Sequence, residues 1–255
     1  MTTTPPPAPL RALLVCGGRF HDFDFARLEL LKLLAEDDRV RVRTREDYRD
    51  LGALAEADFL VTYTCDVRPT HAEQAALREF VNDGGRWFAL HGSNSIFELR
   101  GRDVETPRTH ALLMQTLGSR FLAHPPVGRY RVTVTDRSDP LVAGIDSFET
   151  EDELYLCEMT GAVRLLLETR FGGKTPGFTP EEWRDDEPRP VMYLHPVGTG
   201  EVLYLTLGHC RGPFDMRPLV AVYPRVERCS WELPVFHELL RRGIAWAKPA
   251  PAPGA

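Results

Sequence analysis

Trp87-Phe88-Ala89-Leu90-His91-Gly92-Ser93-Asn94-Ser95 is an apolar run that stops on a histidine and passes into a small polar turn. Four consecutive apolar residues read as a strand buried on both faces, the pattern of a parallel sheet. In an open α/β sheet, ligands bind outside the carboxyl ends of the strands. A sharp strand-to-helix turn at such an end lifts one side chain clear of the sheet, as in nucleophile elbows. Here that side chain is His91, neither Ser nor Cys.

The chain upstream repeats the pattern. Ala12 to Cys16 is a continuous apolar run stopped by Gly17-Gly18. Phe23 to Ala35 then carries apolar residues at helical spacing, Val40 to Arg43 is a short polar strand suited to an edge, and Phe59 to Tyr63 is a third strand. Thr70 and Glu73 form a capping box opening a helix that Asn82-Asp83-Gly84-Gly85 ends. Alternation of strand and helix implies a parallel sheet with right-handed crossovers. The second half is richer in strands: Tyr130 to Thr135, Phe148 to Tyr155, Val163 to Glu168, and a β-hairpin of Val191–His195 and Glu201–Leu207. Gly172 to Pro190 reads as a long surface loop, and Val235 to Ala247 as a closing helix with Pro234 in its first turn. The fold class is α/β: a flavodoxin-like, doubly wound, mostly parallel sheet with helices on both faces and a strand-rich C-terminal half. One domain is predicted over residues 10–248, with disordered tails at 1–9 and 249–255.

Composition narrows the function classes. The net charge is −6 with basic residues scattered, so nucleic acid is not an expected partner. No apolar run approaches the roughly 20 residues of a membrane span, and the first residues lack the charged and apolar regions of a signal peptide, so the cytoplasm is expected. Five cysteines at wide spacings give neither a disulfide framework nor a CxxC pair.

Three histidines share one local logic. His21 follows the first strand in Gly17-Gly18-Arg19-Phe20-His21-Asp22, His91 ends the fourth, and His209 ends the apolar strand that closes in Leu207-Gly208-His209. Gly18, His21 and Asp22 are candidates for substrate binding near a helix start, as are Ser93, Asn94 and His124. Glu151-Asp152-Glu153-Leu154-Tyr155 adds an acidic strand end, with alternation sending Glu151, Glu153 and Tyr155 to one face. Convergence of His21, His91 and His209 in one crevice would allow a divalent metal ion. It would equally allow metal-free proton transfer, and without an HxH or HExxH pattern the spacing does not choose. The absence of GxGxxG leaves no nucleotide cofactor expected. The absence of a GxSxG or GxCxG elbow argues against acyl transfer.

Taken together these pieces are similar to the ThuA-like family of trehalose utilisation proteins. The pieces are Gly17 to Asp22, Gly84 to His91, Phe121-x-x-His124-Pro125, Asp139-Pro140-Leu141-Val142-x-Gly144-Ile145, Asp152 to Tyr155, Gly200 to His209 and Arg242-Gly243-Ile244-x-Trp246-Ala247. The similarity runs from Arg11 to Trp246. It implies the fold of class I glutamine amidotransferases, with His91 where those enzymes carry a nucleophilic cysteine, and so argues against glutaminase chemistry. It also implies disaccharide catabolism through 3-keto-sugars made by a partner oxidoreductase. Gly92-Ser93-Asn94-Ser95 departs from relatives that carry an acid after His91.

The expected activity is therefore isomerisation, elimination or hydrolysis of a keto-disaccharide or keto-glycoside. His91 or His209 is the expected base, Glu153 orients or acts as acid, and Tyr155 hydrogen-bonds an enolate oxygen. A non-catalytic carbohydrate-binding or regulatory module on the same scaffold is the other class. Trp183 and Trp231, read as exposed, would suit a sugar platform or an interface in a homo-oligomer.

Overall fold

Alternation along the first strand sorts its side chains onto two cores. Ala12, Leu14 and Cys16 pack with one apolar cluster, Leu13 and Val15 with another. Both faces of the sheet are therefore covered, which is why the strand reads as an unbroken apolar run. A computed structural model describes residues 8–101 and 103–249, the side chains of 184–186 excepted. Most of the two predicted tails lies outside the described residues.

In chain order the elements are β1 (Leu10–Gly18), α1 (Phe23–Leu34), β2 (Val40–Arg45), α2 (Leu51–Glu56), β3 (Phe59–Cys65), α3 (His71–Asn82) and β4 (Arg86–Leu90). A 3-10 turn over His91–Asn94 leads to β5 (Glu98–Arg100), β6 (Asp103–Glu105), α4 (Ala111–Leu117), β7 (Ser119–Ala123), β8 (Gly128–Val134), β9 (Phe148–Asp152) and β10 (Leu156–Met159). The chain continues through β11 (Arg164–Lys174), β12 (Phe178–Thr179), β13 (Glu182–Val197), β14 (Gly200–Leu205), a 3-10 turn over Cys229–Glu232, and α5 (Pro234–Ala247).

Nine strands form the main sheet in the order β2-β1-β3-β4-β14-β13-β11-β8-β9. The five from β2 to β14 are parallel, and every later neighbour is antiparallel. The chain winds outward from β1 to β2 and then returns to β3 on the other side of β1. That reversal opens a crevice at the carboxyl ends of β1 and β3. Residues of α1 and α5 fill the core on one face, and those of α2, α3 and α4 fill the other. The predicted α/β sheet and the β13–β14 hairpin are present, with Val197 opposite Gly200.

Two readings of the sequence are corrected. Residues 172–190 are not a long loop: β11 runs to Lys174 and pairs with β13 from Glu182 onward. Side chains 184–186 apart, most of their Gly, Pro and acidic residues are exposed on this ribbon, where the backbone tolerates them. Trp231 is buried, not exposed; its ring packs against Phe25 and Phe236 and its indole N–H donates to the Gly208 carbonyl at 2.7 Å. Trp183 lies under the Arg189 guanidinium, 5.2 Å from the ring centroid.

Candidate metal centre

Each of the three strand-end histidines is fixed by a different backbone device. His91 takes φ +45°, a left-handed conformation rare for a residue with a side chain. The turn that follows the apolar run thus has the sharpness an elbow requires. His21 sits between β1 and α1, where Gly18 (φ +130°) lets β1 close on β3; a Cβ there would meet the Cys65 carbonyl oxygen. His209 follows Gly208 (φ +114°), and its amide is held by Asp152.

Asp152 is the fully buried hub of this arrangement. It accepts from the amides of Glu153 (2.7 Å), Gly208 (2.9 Å), His209 (3.0 Å) and Ser230 (3.3 Å), and from the Ser230 hydroxyl. One carboxylate therefore ties the end of β9 to the loop after β14. Alternation fails here because β9 ends at Asp152: Glu151 is exposed, while Asp152 and Glu153 are both buried.

The result is a closed group of His21, His91, Glu153 and His209, with one ligand atom from each lying within 4.8 Å of the others. Among the described residues no other three or more ligand side chains converge in this way. His21 Nε2 and His91 Nε2 are 2.9 Å apart. Glu153 Oε2 lies 3.3 Å from His209 Nδ1, 3.7 Å from His91 Nε2 and 3.9 Å from His21 Nε2.

Hydrogen bonds on the far side of each ring set the tautomers. His21 Nδ1 faces the Arg19 carbonyl at 3.1 Å and His91 Nδ1 faces the Thr206 carbonyl at 2.8 Å. A carbonyl only accepts, so both Nδ1 atoms carry hydrogen, and each ring can present only its Nε2 inward as a lone pair. His209 Nε2 meets the Glu227 carboxylate at 2.8 Å, and its buried Nδ1 has no hydrogen-bond partner. Two lone pairs 2.9 Å apart repel unless a proton or a cation lies between them. This outer ring of acceptors is the arrangement found behind metal-bound imidazoles.

Electrostatics follow from burial and charge. Burial and the neighbouring imidazoles His91 and His209 hold His21 well below the ordinary histidine range. Burial would lower His209 too, but Glu153 and Glu227 outweigh it and raise the imidazole to about 9. Burial pushes the Glu153 carboxyl up, yet His124 and His209 more than reverse that and keep it ionised. Arg211 closes the network, 3.4 Å from Glu153 and 3.1 Å from Glu227.

A cavity of about 250 Å³ opens onto this group and is lined by His21, Glu153, Tyr155, His124 and Arg211 among others. His124 Nδ1 faces the Pro125 carbonyl at 2.8 Å, and its Nε2 lies 3.5 Å from Glu153 Oε1. Burial keeps the Tyr155 hydroxyl well above its usual range, hence protonated at neutral pH. Cys65 also lines the cavity, but burial raises its thiol and leaves no thiolate for acyl transfer.

The other sequence candidates lie elsewhere. Ser93 donates to the Leu90 carbonyl, Asn94 Nδ2 donates to Ser119, and neither lines the cavity. Asp22 caps α1 through the Phe25 amide and pairs with Arg228. Gly18 serves the approach of β1 to β3. Glu227, Arg211 and the anchoring role of Asp152 escape sequence reasoning: Glu227 and Arg211 fall in an aperiodic stretch, and only tertiary contact pairs them with His209 and Glu153.

Fold and site define a doubly wound α/β protein with a buried histidine–carboxylate centre at its strand ends. The pattern of the ThuA family, described as trehalose utilisation, matches residues 11–223, and the chain belongs to that family. The family carries a carbohydrate-related function. A ThuA-like protein from Parabacteroides merdae ATCC 43184 has a similar structure, with TM-score 0.66, 16% identity, and 96% of this chain and 94% of that chain covered. A ThuA-like protein from Bacteroides uniformis ATCC 8492 gives 0.65, 16%, 97% and 95%. The β-galactosidase from Rahnella sp. R3 shares the fold at TM-score 0.55 and 12% identity, with 94% of this chain matching 30% of that one. No curated protein matches this chain in sequence.

Proposed function

We propose that His21 Nε2, His91 Nε2, His209 Nδ1 and Glu153 Oε2 hold one divalent transition-metal ion, and that the adjoining cavity is the active site of an enzyme acting on a keto-sugar. The observation that carries this reading is the 2.9 Å contact between the Nε2 atoms of His21 and His91, with a carbonyl behind the Nδ1 of each ring. Three imidazoles and a carboxylate suit zinc or a neighbouring metal. Ions with bonds of about 2.0–2.2 Å space adjacent ligand atoms by roughly 3.0–3.5 Å. The separations here run from 2.9 Å between His21 and His91 to 3.9 Å between His21 and Glu153, with all four atoms within 4.8 Å, so the ligands would draw in slightly around an ion. Convergence of the histidines supports catalysis over a non-catalytic sugar-binding module, for which they would have no reason to meet.

A bound ion would supply Lewis acidity to a ligand oxygen. The remaining work belongs to the chain. With three histidines and Glu153 committed to the centre, the base is His124, whose Nδ1–H is fixed on Pro125 and whose Nε2, 3.5 Å from Glu153 Oε1, takes the proton. Burial lowers its pKa against the opposing pull of Glu153, which favours the neutral ring that can accept a proton. Tyr155 donates its hydroxyl to the oxygen that gains charge. Arg211 holds Glu153 and Glu227 in register.

A 3-keto group acidifies the C2–H bond of a glycoside. Transfer of that proton to His124 leaves an enolate, the step shared by isomerisation and elimination. In elimination the electron pair forms the C1=C2 bond as the C1–O bond breaks, and the proton passes from His124 to the departing oxygen. No further reactant is required. The test is turnover of a 3-keto-glycoside before and after chelation. Loss on chelation and recovery with one equivalent of metal is expected; undiminished turnover in chelated protein, with His124→Gln equally active, removes the reading.

A further inference from the structure

The cavity has two chemical halves. Its polar side chains gather around Glu153: His21, His124, Tyr155 and Arg211, with Ser95 buried beside them and without a hydrogen-bond partner. The rest of the lining is apolar and dominated by Phe20, Phe97, Phe121, Phe178, Met216 and Leu219. Phe20 and Phe97 stack at 5.8 Å, and Phe178 meets Phe121 edge-on at 5.9 Å and His124 edge-on at 4.7 Å.

This apolar half is not part of either main core. Phe20, Phe97 and Cys65 form a separate cluster backed by Val104 and Met216, assembled from loops, the end of β3 and the small sheet of β5, β6 and β12. Phe20 holds its ring there in a left-handed conformation, φ +68°, a strain that persists only where the surroundings enforce it. The aromatic rings thus border the polar centre while leaving an opening between them.

We infer that the apolar half receives the leaving group, and that the substrate is a keto-glycoside of an aromatic or otherwise apolar alcohol rather than a disaccharide. The inference rests on the proposed function, which seats the keto-sugar ring on the polar half. A second sugar ring could lay its C–H face on these phenylalanines, but this half offers its hydroxyls no polar side chain. Each hydroxyl left unsatisfied costs about 1–3 kcal/mol. An aryl group loses nothing there, and edge-to-face contact with Phe97 and Phe178 is favourable. At about 250 Å³ the cavity is also smaller than most ligand pockets, roughly 300–1,000 Å³.

The experiment compares metal-loaded protein with the 3-keto forms of phenyl glucoside, methyl glucoside (both anomers of each) and trehalose, reading kcat/KM and, by calorimetry, affinity. The phenyl glycoside is expected to exceed both others by tenfold or more. Phe178→Ala, and Phe97→Leu as a volume-keeping variant, are expected to reduce that ratio to threefold or less. Preference for the keto-trehalose, or a phenyl advantage untouched in both variants, overturns the inference while leaving the keto-sugar reading standing. If none of the keto-glycosides binds or reacts, the proposed function fails and takes the inference with it.

Discussion

His21 and His91 face each other through their Nε2 atoms at 2.9 Å, each with its Nδ1–H held on a main-chain carbonyl. Neither ring can turn its hydrogen inward without abandoning a buried carbonyl, at a cost of about 1–3 kcal/mol. The protein therefore holds two Nε2 atoms in a contact that a shared proton or a bound cation satisfies.

Metal binding should release protons. His209 carries its second proton at pH 7, because Glu153 and Glu227 raise it to about 9 against burial. Its Nδ1 must lose that proton to act as a ligand. About one proton per ion is expected at pH 7, and apparent affinity should rise with pH until about 9. Calorimetry in buffers of different ionisation enthalpy measures both; no proton release at pH 7 contradicts the ligand role of His209.

Glu227 orients His209 from behind, at 2.8 Å. Glu227→Gln keeps the shape but removes the charge, and metal affinity should fall about 10–100-fold. A fluorescent-chelator competition reads this directly, and circular dichroism should be unaltered. Unchanged affinity would mean that His209 needs no outer partner.

Asp152 touches no ion ligand side chain but holds the main chain of His209 and Glu153, so its loss is read first in stability. Asp152→Ala leaves the amides of Gly208, His209 and Ser230 without their acceptor. A loss of about 3 kcal/mol is expected in urea unfolding. A loss below about 1 kcal/mol would show that the two loops are held by other contacts.

His124 lines the cavity outside the four-atom centre. His124→Gln should lower kcat by about 10²–10⁴ while metal content stays at one ion per chain. Loss of metal in this variant would place His124 among the ligands instead.

Much of this site is legible in the sequence, and for a physical reason. Parallel strands buried on both faces are written as apolar runs, so the residues that end them announce the functional edge of the sheet. His91 and His209 stand out on that ground, and His21 by its place after β1. Glu153 is found as an acid at a strand end, although β9 stops one residue before it and the alternation that pairs it with Glu151 fails. What is not legible depends on tertiary contact. Glu227 reaches His209 across an aperiodic loop, Asp152 collects amides from two distant segments, and Phe20, Phe97 and Phe178 come together from three separate loops and strands. The β11–β13 ribbon hides because Gly and Pro mask its pairing.

The central claim is the ion site itself. The direct measurement is anomalous X-ray diffraction at the metal's absorption edge from crystals of protein reconstituted with one equivalent of zinc. One peak is expected, about 2.0–2.2 Å from His21 Nε2, His91 Nε2, His209 Nδ1 and Glu153 Oε2. No peak among these atoms, with the 2.9 Å contact between His21 and His91 unchanged, would contradict it.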